Sequence, residues 1–168
     1  MNRYTYDIQK KKDHKDDRDN YQIIQIADIH LDTLYSIGSE VECGETICCR
    51  STDSIDNKVS AGHWGSYPCD IPFETVYNTF TGIVKNAPNA DLWYSTGDVV
   101  PHDSWQSSKD SNINNFKIIS RFLEKFAKTT VISAIGNHES VPVNRFVNFG
   151  NFSKIVKLNI SAICRLEC

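Results

Sequence analysis

Three short strings carry the residues most capable of chemistry: Asp28-Ile29-His30, Gly97-Asp98 followed by His102-Asp103, and Gly136-Asn137-His138-Glu139. Carboxylate, imidazole and carboxamide oxygen together make an oxygen-and-nitrogen donor set for a divalent cation. A carboxylate at Asp98 could bridge two cations about 3.5–4 Å apart, the separation used in two-metal hydrolysis of phosphate esters. Asp28 and His30 are two apart at an expected strand end, where alternate side chains share a face and can address one ion. His102 lies close enough in sequence to Asp98 to reach the same cleft, where it could protonate a leaving oxygen or hold a phosphoryl oxygen. Asn137 offers a carbonyl oxygen to a metal, and the adjacent His138 is free to act on substrate. Each string alone is common; the ordered set of three is not.

Placing such groups together requires buried elements that end at one edge. Each string follows an apolar run with strand character, at residues 23–27, 91–95 and 131–135. Between the first two runs, residues 73–85 carry Phe73, Val76, Tyr77, Phe80, Ile83 and Val84 at helical spacing, and the segment from Asn86 to Pro88 ends the pattern. Before the third, a polar loop through Ser111 precedes a helix over 114–127 with Phe116, Ile119, Phe122, Leu123 and Phe126 on one face. Strand, helix, strand, helix, strand is βαβ order, which predicts an α/β fold with a parallel or mixed sheet, outer helices, and functional loops at the carboxyl ends of the strands. Residues 31–72 form an excursion too long for an ordinary connection, so it is functional or cross-linked.

With 168 residues and 40% hydrophobic content the chain can build one domain with a real core. A formal charge of −3, from 18 basic and 21 acidic residues, gives no electrostatic case for nucleic acid. No apolar run approaches the ~20 residues of a membrane span. Residues 10–19 alternate basic and acidic side chains, and 1–20 reads as a solvated, disordered charged entry without the apolar core of a signal peptide. Four of the six cysteines, Cys43, Cys48, Cys49 and Cys69, crowd into the excursion; Cys164 and Cys168 lie near the end. Their spacing favours disulfides over a zinc knuckle, because no CxxC pair is present and only His63 stands at ligand distance. Cysteine usage thus points to an oxidising compartment while the N-terminus shows no export signal, which predicts that upstream sequence is missing.

The pattern DxH, GD, GNHE resembles the calcineurin-like metallophosphoesterase superfamily. A nearer likeness is to the acid sphingomyelinase catalytic domain. It rests on Cys48-Cys49-Arg50, Ala61-Gly62-His63-Trp64-Gly65, and residues 67–72 with Cys69-Asp70. It rests also on Pro101-His102-Asp103-Ser104-Trp105 after Thr96-Gly97-Asp98, and on Ser140, Pro142, Val143 and Asn144 after the last string. The resemblance covers residues 23–153 and implies an αββα sandwich, of which this chain holds the N-terminal portion: 21–153 as part of the catalytic domain, 154–168 as a divergent tail. It implies two Zn2+ per complete domain and cleavage of sphingomyelin to ceramide and phosphocholine by a di-zinc-activated hydroxide. Asp28 and His30 would bind one zinc, Asp98 would bridge, and Asn137 would bind the other. His138 would stabilise the transition state or protonate the alkoxide, helped by His102.

The same likeness implies disulfides Cys43–Cys48 and Cys49–Cys69, a secreted or lysosomal location, and a saposin-like domain for transient contact with a membrane surface. Sequons at Asn151 and Asn159 are glycosylation sites if the chain is exported. The family completes its zinc shells with three later histidines, whereas no histidine follows His138 here. The expectation is therefore a sphingomyelin phosphodiesterase-type hydrolase, inactive or weakly active as this polypeptide, with uncovered apolar surface on its half-sheet. The alternatives are a sphingomyelinase-like enzyme acting on nucleotide phosphates and a non-catalytic truncated product.

Overall fold

The computed structural model describes residues 20–50 and 59–145. The entry segment, Asn151, Asn159, Cys164, Cys168 and the tail lie outside the described residues.

Five elements follow one another: β1 (Ile23–Ile26), α1 (Phe73–Asn86), β2 (Leu92–Ser95), α2 (Lys109–Phe126) and β3 (Val131–Ser133). The strands pair in parallel in the order β1-β2-β3, with Ile23 beside Leu92 and Trp93 beside Val131. Parallel neighbours need crossovers, and the two amphipathic helices supply them. Both helices pack on the same side. Phe80 of α1 stacks 5.9 Å from Trp93 of β2 and 5.4 Å from Phe122 of α2, and Tyr77 meets Phe126 edge-on. The core is therefore Val76, Phe80, Trp93, Phe116, Ile119, Phe122, Leu123 and Val131, joined at one end by Ile29, Leu31, Val99 and Val100.

One expectation about these elements needs correction. Helix α2 begins at Lys109 rather than 114, so the polar loop ends at Ser108 and not at Ser111. Ser108 and Ser111 form a reciprocal cap: each hydroxyl accepts the other's backbone N–H, at 3.1 and 2.9 Å. Serine stands where a capping box ordinarily carries Glu or Gln, which hides the start from sequence inspection. The strands, moreover, are buried on one face only. Ile24, Trp93, Ser95 and Val131 face the helices, while Ile23, Tyr94 and Ile132 are exposed on the other side. The second sheet-and-helix layer of a sandwich is not formed among the described residues, and none of their helices is long and apolar enough to cross a membrane.

The excursion between β1 and α1 has a small core of its own. Val41, the fully buried Cys49 and Ala61 pack with Tyr35 and Cys69, over single bridges between Tyr35 and Arg50 and between Glu40 and Ser60. The structure joins Cys43 to Cys48 and Cys49 to Cys69. All four cysteines among the described residues are paired, so none of these offers His63 a thiolate; its ring rests edge-on against Trp64 at 4.5 Å.

Candidate two-metal site at the carboxyl edge of the sheet

All three strings emerge from the carboxyl ends of the parallel strands. The β1–β2 pairing continues past the strands, with Asp28 N–H donating to Gly97 O at 3.2 Å, His30 N–H to Asp98 O at 3.1 Å and Leu31 N–H to Val99 O at 3.0 Å. The first and second strings are thus one ladder.

Asp28 and His30 do converge, but not by strand alternation. Both have left-handed backbone, at φ 52° and 41°, and so does Asp98 at φ 53°. Asp and His tolerate that region better than bulkier residues. The result is one ligand atom from each of Asp28, His30 and Asp98, all within 4.8 Å of one another. His30 Nδ1 lies 2.8 Å from Val100 O; a carbonyl only accepts, so the ring donates there and Nε2 is left free toward the carboxylates. This is the second-sphere bond that commonly fixes a ligating imidazole.

The turn of the third string is bound to the second by a buried carboxylate. Glu139, with no exposed surface, accepts from Asp98 N–H at 2.9 Å, Val99 N–H at 2.7 Å and Gly136 N–H at 2.6 Å. Each oxygen is used, and three otherwise orphaned amides are satisfied. In return His138 N–H donates to Asp98 Oδ1 at 2.8 Å. The two turns lie so close that a Cβ on Gly97 would overlap the backbone of Gly136, and one on Gly136 would overlap the Asp98 side chain. Gly97 also sits at φ 96°. From behind, buried Asn112 of α2 donates to the carbonyls of His138 and Glu139, both at 3.2 Å.

Asn137 is exposed in this turn. Its Nδ2 donates to Asn144 Oδ1 at 3.0 Å, which orients the amide and leaves Oδ1 available. The structure gathers His30, His102 and His138 into one group: His102 stacks on His30 at 3.8 Å, and His138 meets the two rings edge-on at 5.1 and 4.9 Å. His138 Nδ1 is buried without a hydrogen-bond partner. A polar atom left so inside a ring of donors marks a place for an exogenous group.

Several residues that hold this arrangement had no role assigned from sequence. Asp70 accepts from His102 N–H at 2.7 Å and pairs with His102 Nδ1 at 2.7 Å. Arg50 grips buried Asp32 with Nε at 2.8 Å and Nη2 at 3.1 Å, and reaches Asp103 with Nη2 at 2.9 Å. Burial works against the Arg50 cation, but Asp32 and then Asp103 outweigh it and hold its pKa above the ordinary value. The available signals were positional: Asp70 follows Cys69, and Arg50 follows Cys49.

The donor set fits divalent metal. Carboxylate and imidazole ligands with a preset tautomer converge from rigid turns, beside an unpartnered buried nitrogen.

A model of the calcineurin-like phosphoesterase family matches residues 21–164. The chain is 40% identical over 129 residues to sphingomyelin phosphodiesterase B of Dictyostelium discoideum, a match covering 74% of this chain and 20% of that protein. It is 37% identical over 139 residues to sphingomyelin phosphodiesterase 1 of Caenorhabditis elegans, covering 82% and 24%. To sphingomyelin phosphodiesterase of Homo sapiens it is 33% identical over 129 residues, covering 74% and 20%. The chain therefore spans about a fifth to a quarter of the length of these curated relatives.

Proposed function

The chain belongs to the calcineurin-like phosphoesterase family, among the acid sphingomyelinases, and from that premise we propose that it carries the first part of a sphingomyelin phosphodiesterase active site. The observation carrying this reading is the convergence of Asp28, His30 and Asp98 within 4.8 Å, with the His102 and His138 rings packed against His30.

Asp28, His30 and Asp98 would hold one divalent ion and Asp98 with Asn137 a second, zinc being the ion that mixed imidazole and carboxylate donors suit. When bound, such ions supply Lewis acidity toward phosphoryl oxygens and toward water. The chain's own side chains do the rest. His138, whose backbone is pinned between Asp98 and Asn112, faces the cluster and would hydrogen-bond a phosphoryl or leaving oxygen. His102, with Nδ1–H donated to Asp70, would aim Nε2 at the cluster, and in its imidazolium form the proton on Nε2 would pass to the departing alkoxide and leave the ring neutral. The substrate class is a phosphodiester lipid of the sphingomyelin type, the products ceramide and phosphocholine. The two disulfides support a secreted or lysosomal setting. Residues 21–153 are proposed as the N-terminal part of the catalytic domain.

The family's later zinc-binding histidines have no counterpart after His138 in this sequence. We therefore propose that the 168-residue polypeptide, expressed as such, binds fewer than two zinc ions and turns over little or no substrate. Calorimetric titration with zinc tests the site, and Asp98→Asn should weaken binding at least about tenfold, as for loss of a ligand; unchanged affinity would overturn the metal assignment. Phosphocholine release from sphingomyelin vesicles tests activity. Brisk release with two zinc ions per chain would uphold the substrate and overturn the proposed inactivity, and release from a nucleotide phosphodiester alone would favour the nucleotide-cleaving branch.

A further inference from the structure

The His102 ring is anchored from outside its own loop. It lies in a loop, about half exposed, and its Nδ1 is held by a side chain 32 positions earlier in the chain. Its neighbour Asp103 is held likewise from 53 positions earlier, by Arg50. The two holders share a covalent origin. Asp70 directly follows Cys69 and Arg50 directly follows Cys49, and those two cysteines are bonded to each other. Cys49 is fully buried in the small core of the excursion, so the bridge is fixed to a packed body rather than to a free loop. One disulfide thus places two side chains on adjacent residues of the catalytic loop.

We propose that the Cys49–Cys69 disulfide is the fixture that positions His102, with Asp70 orienting the ring and Arg50 holding the neighbouring Asp103. Asp70 and Arg50 are then positioning residues for the proposed phosphodiesterase site. The inference rests on the phosphoesterase reading only for the use to which His102 is put. An ionised carboxylate accepts and cannot donate, so Asp70 selects the tautomer with hydrogen on Nδ1 and keeps Nε2 open toward the cluster. Asp70 has a second oxygen on His102 N–H, which fixes backbone and ring together. Arg50 spans Asp32, two residues past the first string, and Asp103 on the second, so it ties the excursion to the loop that carries His102. The second disulfide, Cys43–Cys48, closes a five-residue separation and has no such continuation into the site.

The chain contains five histidines, so selective 15N labelling of histidine gives a readable spectrum. Each tautomer of a neutral imidazole has its own long-range 15N–1H pattern, because only one ring nitrogen carries hydrogen. In the unaltered chain the Nδ1–H form of His102 should exceed the other at least about tenfold, the expected strength of a charge-assisted bond. Asp70→Ala should collapse that preference toward a mixture, and Asp70→Asn, which keeps one accepting oxygen, should restore part of it. Paired Cys49→Ser and Cys69→Ser changes should broaden or shift the His102 signals in the same direction, and paired Cys43→Ser and Cys48→Ser changes should leave them in place. If the first pair abolishes the helical circular dichroism, Arg50→Met carries the same contrast. Unmixed His102 signals in folded Asp70→Ala, or equal responses to the two disulfide deletions in folded chains, would overturn the proposal. The readout needs no turnover, so an inactive polypeptide leaves it decidable, and its failure would leave the metal titration untouched.

Discussion

The carboxyl edge of the sheet is held by two bodies built in opposite ways. The junction of Gly97, Asp98, Gly136 and Glu139 is made of backbone, and its fastening is one buried carboxylate that takes three amide hydrogens. The excursion that supplies Arg50 and Asp70 is made of side chains, and its fastenings are a disulfide and an ion pair across long sequence separations. Fastening at the backbone fixes the peptide planes that present Asp98 and the third string and leaves no volume to vary. Side-chain fastening fixes where the tip of an imidazole points and leaves the intervening chain free in length and composition.

Substitutions can sharpen or break that contrast. The largest effect is expected at Gly97→Ala, where a methyl group would meet Gly136 backbone at a φ of 96°. Backbone strain and overpacking together should cost about 3–5 kcal/mol, read as a fall in the urea midpoint. A cost under ~1 kcal/mol would mean the two turns are not locked. Next comes Glu139→Gln, which removes the charge and puts an amide donor against backbone donors. About 2–4 kcal/mol should be lost, with zinc affinity falling in parallel because Asp98 N–H is one of the three bonds. A variant as stable as the parent would make the junction no firmer than an ordinary loop. The smallest effect belongs to Ser108→Ala. Loss of the cap should cost ~1 kcal/mol and speed amide exchange in the first turns of α2. The excursion should not respond, and a response there would erase the division between the two bodies.

Much of this was legible in the residues. The order of strands and helices followed from alternating apolar runs and helical spacing, and the face of α2 was given by Phe116, Ile119, Phe122 and Leu123. The three strings could be read as one site because each followed a strand. What could not be read was anything decided by tertiary contact. Asp28 and His30 look like alternate residues of a strand, yet they reach one point through left-handed backbone that only the ladder to Gly97 and Asp98 sustains. Glu139 ends the third string with no role legible in the sequence, and it is entirely internal. The open face of the sheet, with Ile23, Tyr94 and Ile132, has the same apolar composition as the covered one. Asp70 could be tied to His102 only once the chain between them was folded.

The left-handed conformation of Asp28 and Asp98 also bears on how such a site can decay. Asparagine is, with aspartate, among the side chains most at ease in that region. Exchange of one for the other keeps size and turn geometry and removes the charge that a cation needs. Aspartate and asparagine codons differ by a single base, so one mutational step at either position could silence the chemistry while the chain goes on folding, expressing and pairing its cysteines as before. In a lineage released from selection on activity, those two positions are where loss of function would first become invisible to every measure of stability.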